Sequence, residues 1–175
     1  MQKTFLQLVL PVFLLSLVAC GYHFSGGARP DDPIRTVFVP ILENETAETG
    51  LETRVTNDLI REFTREEKFR LARSSTGADV RLTGSIESLL DENAARRSSG
   101  DSALRRVRMV LSLELQDEDG RVLWSGDKIT EHETYQVVED NLAATQANKS
   151  QALSVLTARL AIKVRHRMEA YFEGF

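Results

Sequence analysis

Two stretches in the middle of the chain alternate apolar and polar side chains, and this pattern constrains the fold more tightly than any other feature. Val80, Leu82, Gly84, Ile86, Ser88 and Leu90 alternate with Arg81, Thr83, Ser85 and Glu87. Val107, Met109, Leu111, Leu113 and Leu115 repeat the pattern against Arg106, Arg108, Ser112, Glu114 and Gln116. Successive strand residues point to opposite faces, so each run predicts a strand with one buried face. The polar segment DENAARRSSGDS between them reads as a hairpin tip. Asp117-Glu118-Asp119-Gly120 reads as a second turn, with Gly120 suited to positive φ. It leads into a further strand from Arg121 to about Tyr135, bent near Gly126.

Shorter signals flank this core. Ile34 to Leu42 (IRTVFVPIL) is rich in β-branched residues and predicts a buried strand, with Pro40 at its end or at an edge. Leu51, Val55, Leu59 and Phe63 recur every fourth residue and predict a helix over Gly50 to Phe63. Phe69 to Ala72 reads as a short strand. Leu153, Leu156, Leu160, Val164, Met168 and Tyr171 have spacings averaging 3.6 and predict a long final helix, capped by Asn141 or Asn148. The order is β-α-β-β-β-β-α. Long hairpins imply antiparallel pairing. The expected fold is therefore α+β: a two-layer sandwich, with a mainly antiparallel four- to five-stranded sheet and two helices on one face. The other sheet face carries Thr, Ser, Glu and Arg and should be polar.

The first residues, MQKTFLQLVLPVFLLSLVAC, set the compartment. Lys3 precedes an apolar run from Phe5 to Val18, too short for a span and suited to a secretory leader. Leu17-Val18-Ala19-Cys20 has the small residue before a cysteine that a lipoprotein leader requires. The expectation is cleavage before Cys20 and acylation of its thiol, a nucleophile as the thiolate. The layout is then leader 1–19, lipidated cysteine and flexible tether 20–33, and one domain 34–175. Two or more acyl chains, at about 0.8 kcal/mol per buried methylene, hold a protein stably on a membrane. Gly21 in place of aspartate is compatible with the outer membrane. Cys20 is the only cysteine, so no disulfide framework exists and a hydrophobic core must hold the fold. The net charge of −4 argues against general nucleic-acid binding.

Catalytic equipment is not evident. His23, His132 and His166 lack metal-site spacing, no second cysteine is available, and there is no Gly-x-Ser-x-Gly elbow or phosphate-binding loop. The reading is a non-enzyme, with no cofactor beyond the covalent lipid on Cys20 and no metal. One constellation stands out: Arg96, Arg97, Arg105, Arg106 and Arg108 lie within 13 residues around the hairpin tip. Guanidinium groups bind phosphate bidentately, which suits an anionic lipid headgroup or a phosphorylated sugar. Solubilising charge, balanced by Asp91, Glu92 and Asp101, explains the same residues.

Several segments together resemble the LPS-assembly lipoprotein family (LptE). They are Cys20-Gly21-Tyr22-His23-Phe24; Ile34-x-x-Val-Phe-Val-Pro-Ile-x-Glu-Asn44-x-Thr46 leading to Gly50-Leu51-Glu52; Ala78-Asp79-Val80-x-Leu82-x-Gly84-x-Ile86; and the Trp124 strand, Tyr135 and the C-terminal helix. The resemblance spans nearly the whole mature chain. It implies a lipoprotein on the inner leaflet of the outer membrane that plugs the LPS-assembly outer-membrane β-barrel protein (LptD). Such a plug assists barrel assembly and lipopolysaccharide delivery to the cell surface. It also implies lipopolysaccharide contact near the hairpin tip, where Arg96 and Arg97 are the nearest match and Arg105 and Arg106 adjoin. A second basic site near the start of the last helix has no clear counterpart, since Glu139 to Gln146 carry no Lys or Arg and Lys149 is the nearest base. The alternative is an auxiliary lipid- or anion-binding lipoprotein of another envelope transport system.

Overall fold

A computed structural model describes residues 36–65, 70–95 and 104–173. The expected leader and tether, with Cys20 and His23, and the tip residues Arg96 and Arg97 lie outside the described residues. The elements are β1 (Thr36–Phe38), β2 (Glu43–Asn44), α1 (Leu51–Thr64), β3 (Arg70–Leu71), β4 (Val80–Ala95), β5 (Leu104–Asp117), β6 (Val122–Gln136) and α2 (Leu142–Glu173). This is the expected α+β order with one strand more: of the run expected over Ile34 to Leu42 only Thr36–Phe38 is strand among the described residues, and β2 follows beyond it. Pro40 has no N–H to continue a ladder, and the Leu42 amide donates to the buried hydroxyl of Thr56 on α1 instead (3.1 Å).

The sheet is mixed and six-stranded, in the order β3-β1-β4-β5-β6, with β2 also on β4. The three short strands pair in parallel: β1 with β3 and β4, and β2 with β4. The long strands are antiparallel, as their alternation predicts. β4 and β5 pair from Val80↔Asp117 to Ala95↔Leu104, so Asp91 to Ala95 belong to the strand rather than the tip. The turn to β6 is closed by Asp117, whose carboxylate accepts from the Asp119 and Arg121 amides, while Gly120 takes φ +80°. Asn141 caps α2 by accepting from the Ala144 amide (2.9 Å). Asn148 lies inside the helix and donates to the Gln136 carbonyl.

One register shift changes which residues face the helices. Pairing runs to Ile86↔Leu111 and resumes at Ser88↔Val110, leaving Glu87 as the extra residue of a bulge. Side-chain parity inverts there. Beyond the bulge Leu89 and Asp91 stand opposite Met109 and Val107, on the face of the buried residues. Ser88 and Leu90, expected on that face from strict alternation, turn outward, and Leu90 is 50% exposed. A second shift lies between Ile129 and Gly126 of β6, where Lys128 takes φ +49°. That is the bend expected near Gly126.

The core joins Leu51, Val55, Leu59 and Phe63 of α1, Leu153, Leu156, Leu160, Val164 and Met168 of α2, and the inward residues of β4 to β6. Gly84 lies where β4 presses against β5. Its φ is +150°, and a Cβ there would collide with the Ser112 carbonyl oxygen and the Leu113 backbone. Gly84→Ala should therefore lower the unfolding free energy by roughly 2–4 kcal/mol, read as a lower urea midpoint with the far-UV spectrum retained.

Candidate functional site

The residues that carry the family resemblance build joints. Asn44 Oδ1 accepts from the Thr46 amide (3.0 Å) and hydroxyl (2.8 Å), closing a local turn. Asn44 Nδ2 donates to the Glu48 carbonyl (2.9 Å) and to Glu52 Oε2 (2.8 Å). Glu52 Oε1 accepts from the Gly50 amide (3.2 Å) and so serves the N-terminus of α1, whose cap residue Gly50 sits at φ +83°. Asp79 and Thr36 clasp reciprocally: the Thr36 amide donates to Asp79 Oδ2 (2.7 Å), and the Asp79 amide to Thr36 Oγ1 (2.9 Å). That clasp ties the start of β1 to the start of β4.

The described arginines of the hairpin divide between the two sheet faces. Arg105 stands opposite Tyr135, on the helix face. Its Nε donates to Asp91 Oδ1 (2.8 Å) and its Nη2 to the Asp91 carbonyl (2.9 Å). The Tyr135 hydroxyl donates to Asp91 Oδ2 (2.8 Å), and Lys149 Nζ lies 3.7 Å from the same oxygen and 2.7 Å from Glu48 Oε2. Asp91 is therefore the hub of a network joining β4, β5, β6 and α2. Arg106 and Arg108 lie on the opposite face and share Glu92, at 4.0 and 3.0 Å. Arg106 Nε is buried without a hydrogen-bond partner. The five-arginine cluster expected from sequence thus becomes a structural Arg105 and an outward pair. Arg96 and Arg97 extend beyond the described residues.

Sequence reading missed Asp91, Tyr135 and Lys149 as one network, because the Glu87 bulge brings Asp91 inward and strict alternation hides it. A second basic group was legible but unassigned: Arg159, Lys163, Arg165, His166 and Arg167 on α2. Arg165 Nε pairs with Glu62 (2.8 Å) and Nη1 with Glu169 (2.7 Å), linking α2 to α1. Lys163 donates to the Thr130 carbonyl (2.7 Å) and pairs with Glu131 (3.2 Å); Arg159 pairs with Glu133 (2.7 Å). Burial alone would raise the Glu131 carboxyl, but the His132 amide and Lys163 outweigh it and hold it below its ordinary range. His132 is on the outer face, as alternation predicts, yet its Nδ1 still lies 3.9 Å from Glu131 Oε1. Among the described residues no three His, Cys, Asp or Glu side chains are grouped to hold a metal ion. Among them, no helix is long and apolar enough to cross a membrane.

The Asp91 network has a pH signature. Burial, then the Asp91 carboxylate, push the Tyr135 phenol above its ordinary pKa against the opposing pull of Arg105. An unfolded tyrosine titrates near pH ~10. The contribution is therefore complete below that pH and is lost as pH rises through the elevated folded value. Tyr135→Phe should flatten the fall of urea stability above pH ~10. An unchanged slope would show that the phenol is not so held.

The matched family model, LptE, described as lipopolysaccharide-assembly, covers residues 34–168. The chain matches none of the curated proteins compared with it. Among solved structures it is similar to an uncharacterized lipoprotein B from Nitrosomonas europaea (TM-score 0.57, 12% identity, 81% of this chain and 86% of that one). It is also similar to a minor lipoprotein from Acinetobacter baumannii (0.53, 12%, 79% and 92%) and to the rare lipoprotein B from Shewanella oneidensis (0.53, 12%, 78% and 96%). At such identities the likeness establishes the fold, an α+β sandwich with both helices on one face of a mixed sheet. The family match supplies the rest: this chain belongs to the LptE family of lipopolysaccharide-assembly proteins, non-catalytic lipoproteins of the outer membrane.

Proposed function

We propose that the chain is the plug subunit of the lipopolysaccharide translocon, seated in the lumen of the LPS-assembly β-barrel protein (LptD). It assists folding of that barrel and passage of lipopolysaccharide to the cell surface. The layout of leader 1–19, acylated Cys20 with its tether to residue 33, and a domain from residue 34 belongs to this proposal. The supporting observation is the outer face of β4 to β6. Thr83, Ser85, Ser112, Ser125, Thr130, His132 and Thr134 lie there, with Glu87 bonded to Ser112 and Glu92 paired with Arg106 and Arg108. The lumen of a large outer-membrane barrel is polar and wet. That face also carries Leu90 and Val110, but its hydroxyls and the paired Glu92, Arg106 and Arg108 enter such a space without burying an unpaired charge.

At the hairpin tip, Arg96 and Arg97, with Arg105 and Arg106 nearby, are proposed to contact lipopolysaccharide phosphates. Arg106 suits that role best of the described residues, since it faces outward and its carboxylate neighbour is at the limit of an ion pair. Arg105 serves by positioning the strand through Asp91.

Affinity capture of the lipidated protein from outer membranes should return a large β-barrel protein, and its absence would overturn the plug reading. Arg96→Ala with Arg97→Ala should weaken lipopolysaccharide binding roughly tenfold while leaving barrel capture intact. Unchanged lipid binding would remove the tip from the proposed route. Cys20→Ala should move the chain from the membrane to the soluble envelope fraction.

A further inference from the structure

We infer that the C-terminal half of α2 docks on the anionic phospholipid leaflet that carries the acyl anchor. The inference rests on membership of a lipid-anchored family and goes beyond the plug reading, which assigns this helix no lipid contact.

Charge concentration is the first observation. Residues 159–167 (RLAIKVRHR) contain four Lys or Arg, one His and no carboxylate. The whole chain carries −4, so the remainder carries −8. Arg159, Lys163, His166 and Arg167 fall at i, i+4, i+7 and i+8, which places them along one stripe. Arg159 and Lys163 lean on Glu133 and Glu131 of β6. His166 and Arg167 are exposed, and Arg167 has no carboxylate partner among the described residues. Together they rim a shallow depression of about 510 Å3, with Ile162 and Ala170 as its apolar part and Glu131, paired with Lys163, as its one carboxylate.

Aromatic exposure is the second. Tyr171 and Phe172 are 43% and 41% exposed and meet edge to face at 5.3 Å. Basic side chains beside exposed aromatic rings on one helix are what a membrane interface selects. The rings lie at headgroup depth and the cations meet lipid phosphate. Each basic residue close to an anionic leaflet strengthens binding about fivefold.

Chain geometry is the third. The Thr36–Asp79 clasp fixes the entry of the chain at the start of β4. The start of β4 pairs with Asp117, beside the turn that begins β6. α2 runs back along β6, with Arg159 at Glu133 and Lys163 at Glu131, so its last turns point toward that same end. Fifteen residues lie between Cys20 and Thr36, a reach of at most about 55 Å. The described chain thus enters at the end of the sheet where the basic and aromatic residues lie, and the Ala95–Leu104 pair of the hairpin is at the other end.

The test uses the mature chain with Cys20→Ser, so that acyl insertion does not mask weaker contacts. Its partition onto phosphatidylcholine vesicles is measured with and without phosphatidylglycerol. Binding should require phosphatidylglycerol and weaken as salt rises. His166→Glu with Arg167→Glu should lower the partition coefficient at least about tenfold, whereas Arg54→Glu on α1 should leave it within about twofold. Phe172→Trp should show a blue-shifted emission on the anionic vesicles that the parent chain, whose single Trp124 is buried, does not. No preference for phosphatidylglycerol, an equal loss in Arg54→Glu, or no shift at position 172 would each overturn the inference. A chain that still captures a barrel while ignoring phosphatidylglycerol refutes this contact alone and leaves the plug reading standing.

Discussion

The pairing of β4 with β5 is the constraint on which the rest of the molecule depends. One face of the ladder is apolar, so a slip of one residue would turn that whole set outward. The chain makes that slip at Glu87, after the apolar set Val80, Leu82 and Ile86 is in place, and again between Asn93 and Ala95 near the end of the ladder. Past this point β4 delivers Leu89 and then Asp91 to the helix face. A carboxylate moved out of water costs several kcal/mol unless it is hydrogen bonded and paired. Tyr135, Arg105 and Lys149 supply those partners from three other elements. The sheet is consequently apolar beneath the helices and polar toward the tip, and the boundary is set by one inserted residue.

What could be read from sequence follows from this. Each long strand and each helix shows its period in its own residues, because each has one face against the core. Gly120 as a positive-φ turn residue and Gly126 as a bend are local chemistry and stand as read, and of the two cap candidates Asn141 is the one that caps. The short strands were harder. β1, β2 and β3 hold two or three residues each, and their parallel partners lie tens of residues away. Pro40 signalled a strand end, but nothing local signalled that pairing would resume at Glu43. The bulge was invisible for a related reason. Leu90 continues the apolar alternation, and only the register with Val110 and Met109 reveals that it faces outward. The arginine constellation was legible as charge, but its division between faces depends on that register.

The family motifs and the candidate functional residues are different sets. Asn44, Thr46, Gly50, Glu52, Asp79 and Gly84 form a turn, a helix start, a clasp and a close strand contact. Each solves a backbone problem that side-chain packing cannot solve, so their combination marks the scaffold. The described arginines of the hairpin solve no such problem, apart from Arg105. Arg106 and Arg108 share one carboxylate, and a change there alters surface chemistry without touching the core.

The two ends of the sheet now differ in kind. At the clasp end the chain enters beside β4, and α2 brings its basic and aromatic residues toward the same side. At the tip end the strands run beyond the apolar core and present arginines on a hydrated ribbon. Leu90, turned outward by the bulge, stands opposite Arg108, whose aliphatic stem can shelter it while the guanidinium stays on Glu92. The ribbon thus needs no apolar partner to be stable, which a hydrated lumen would not offer. The proposed plug role and leaflet contact would use this asymmetry, with lipid-directed chemistry where the described chain enters and polar, self-paired chemistry along the part that reaches away from it.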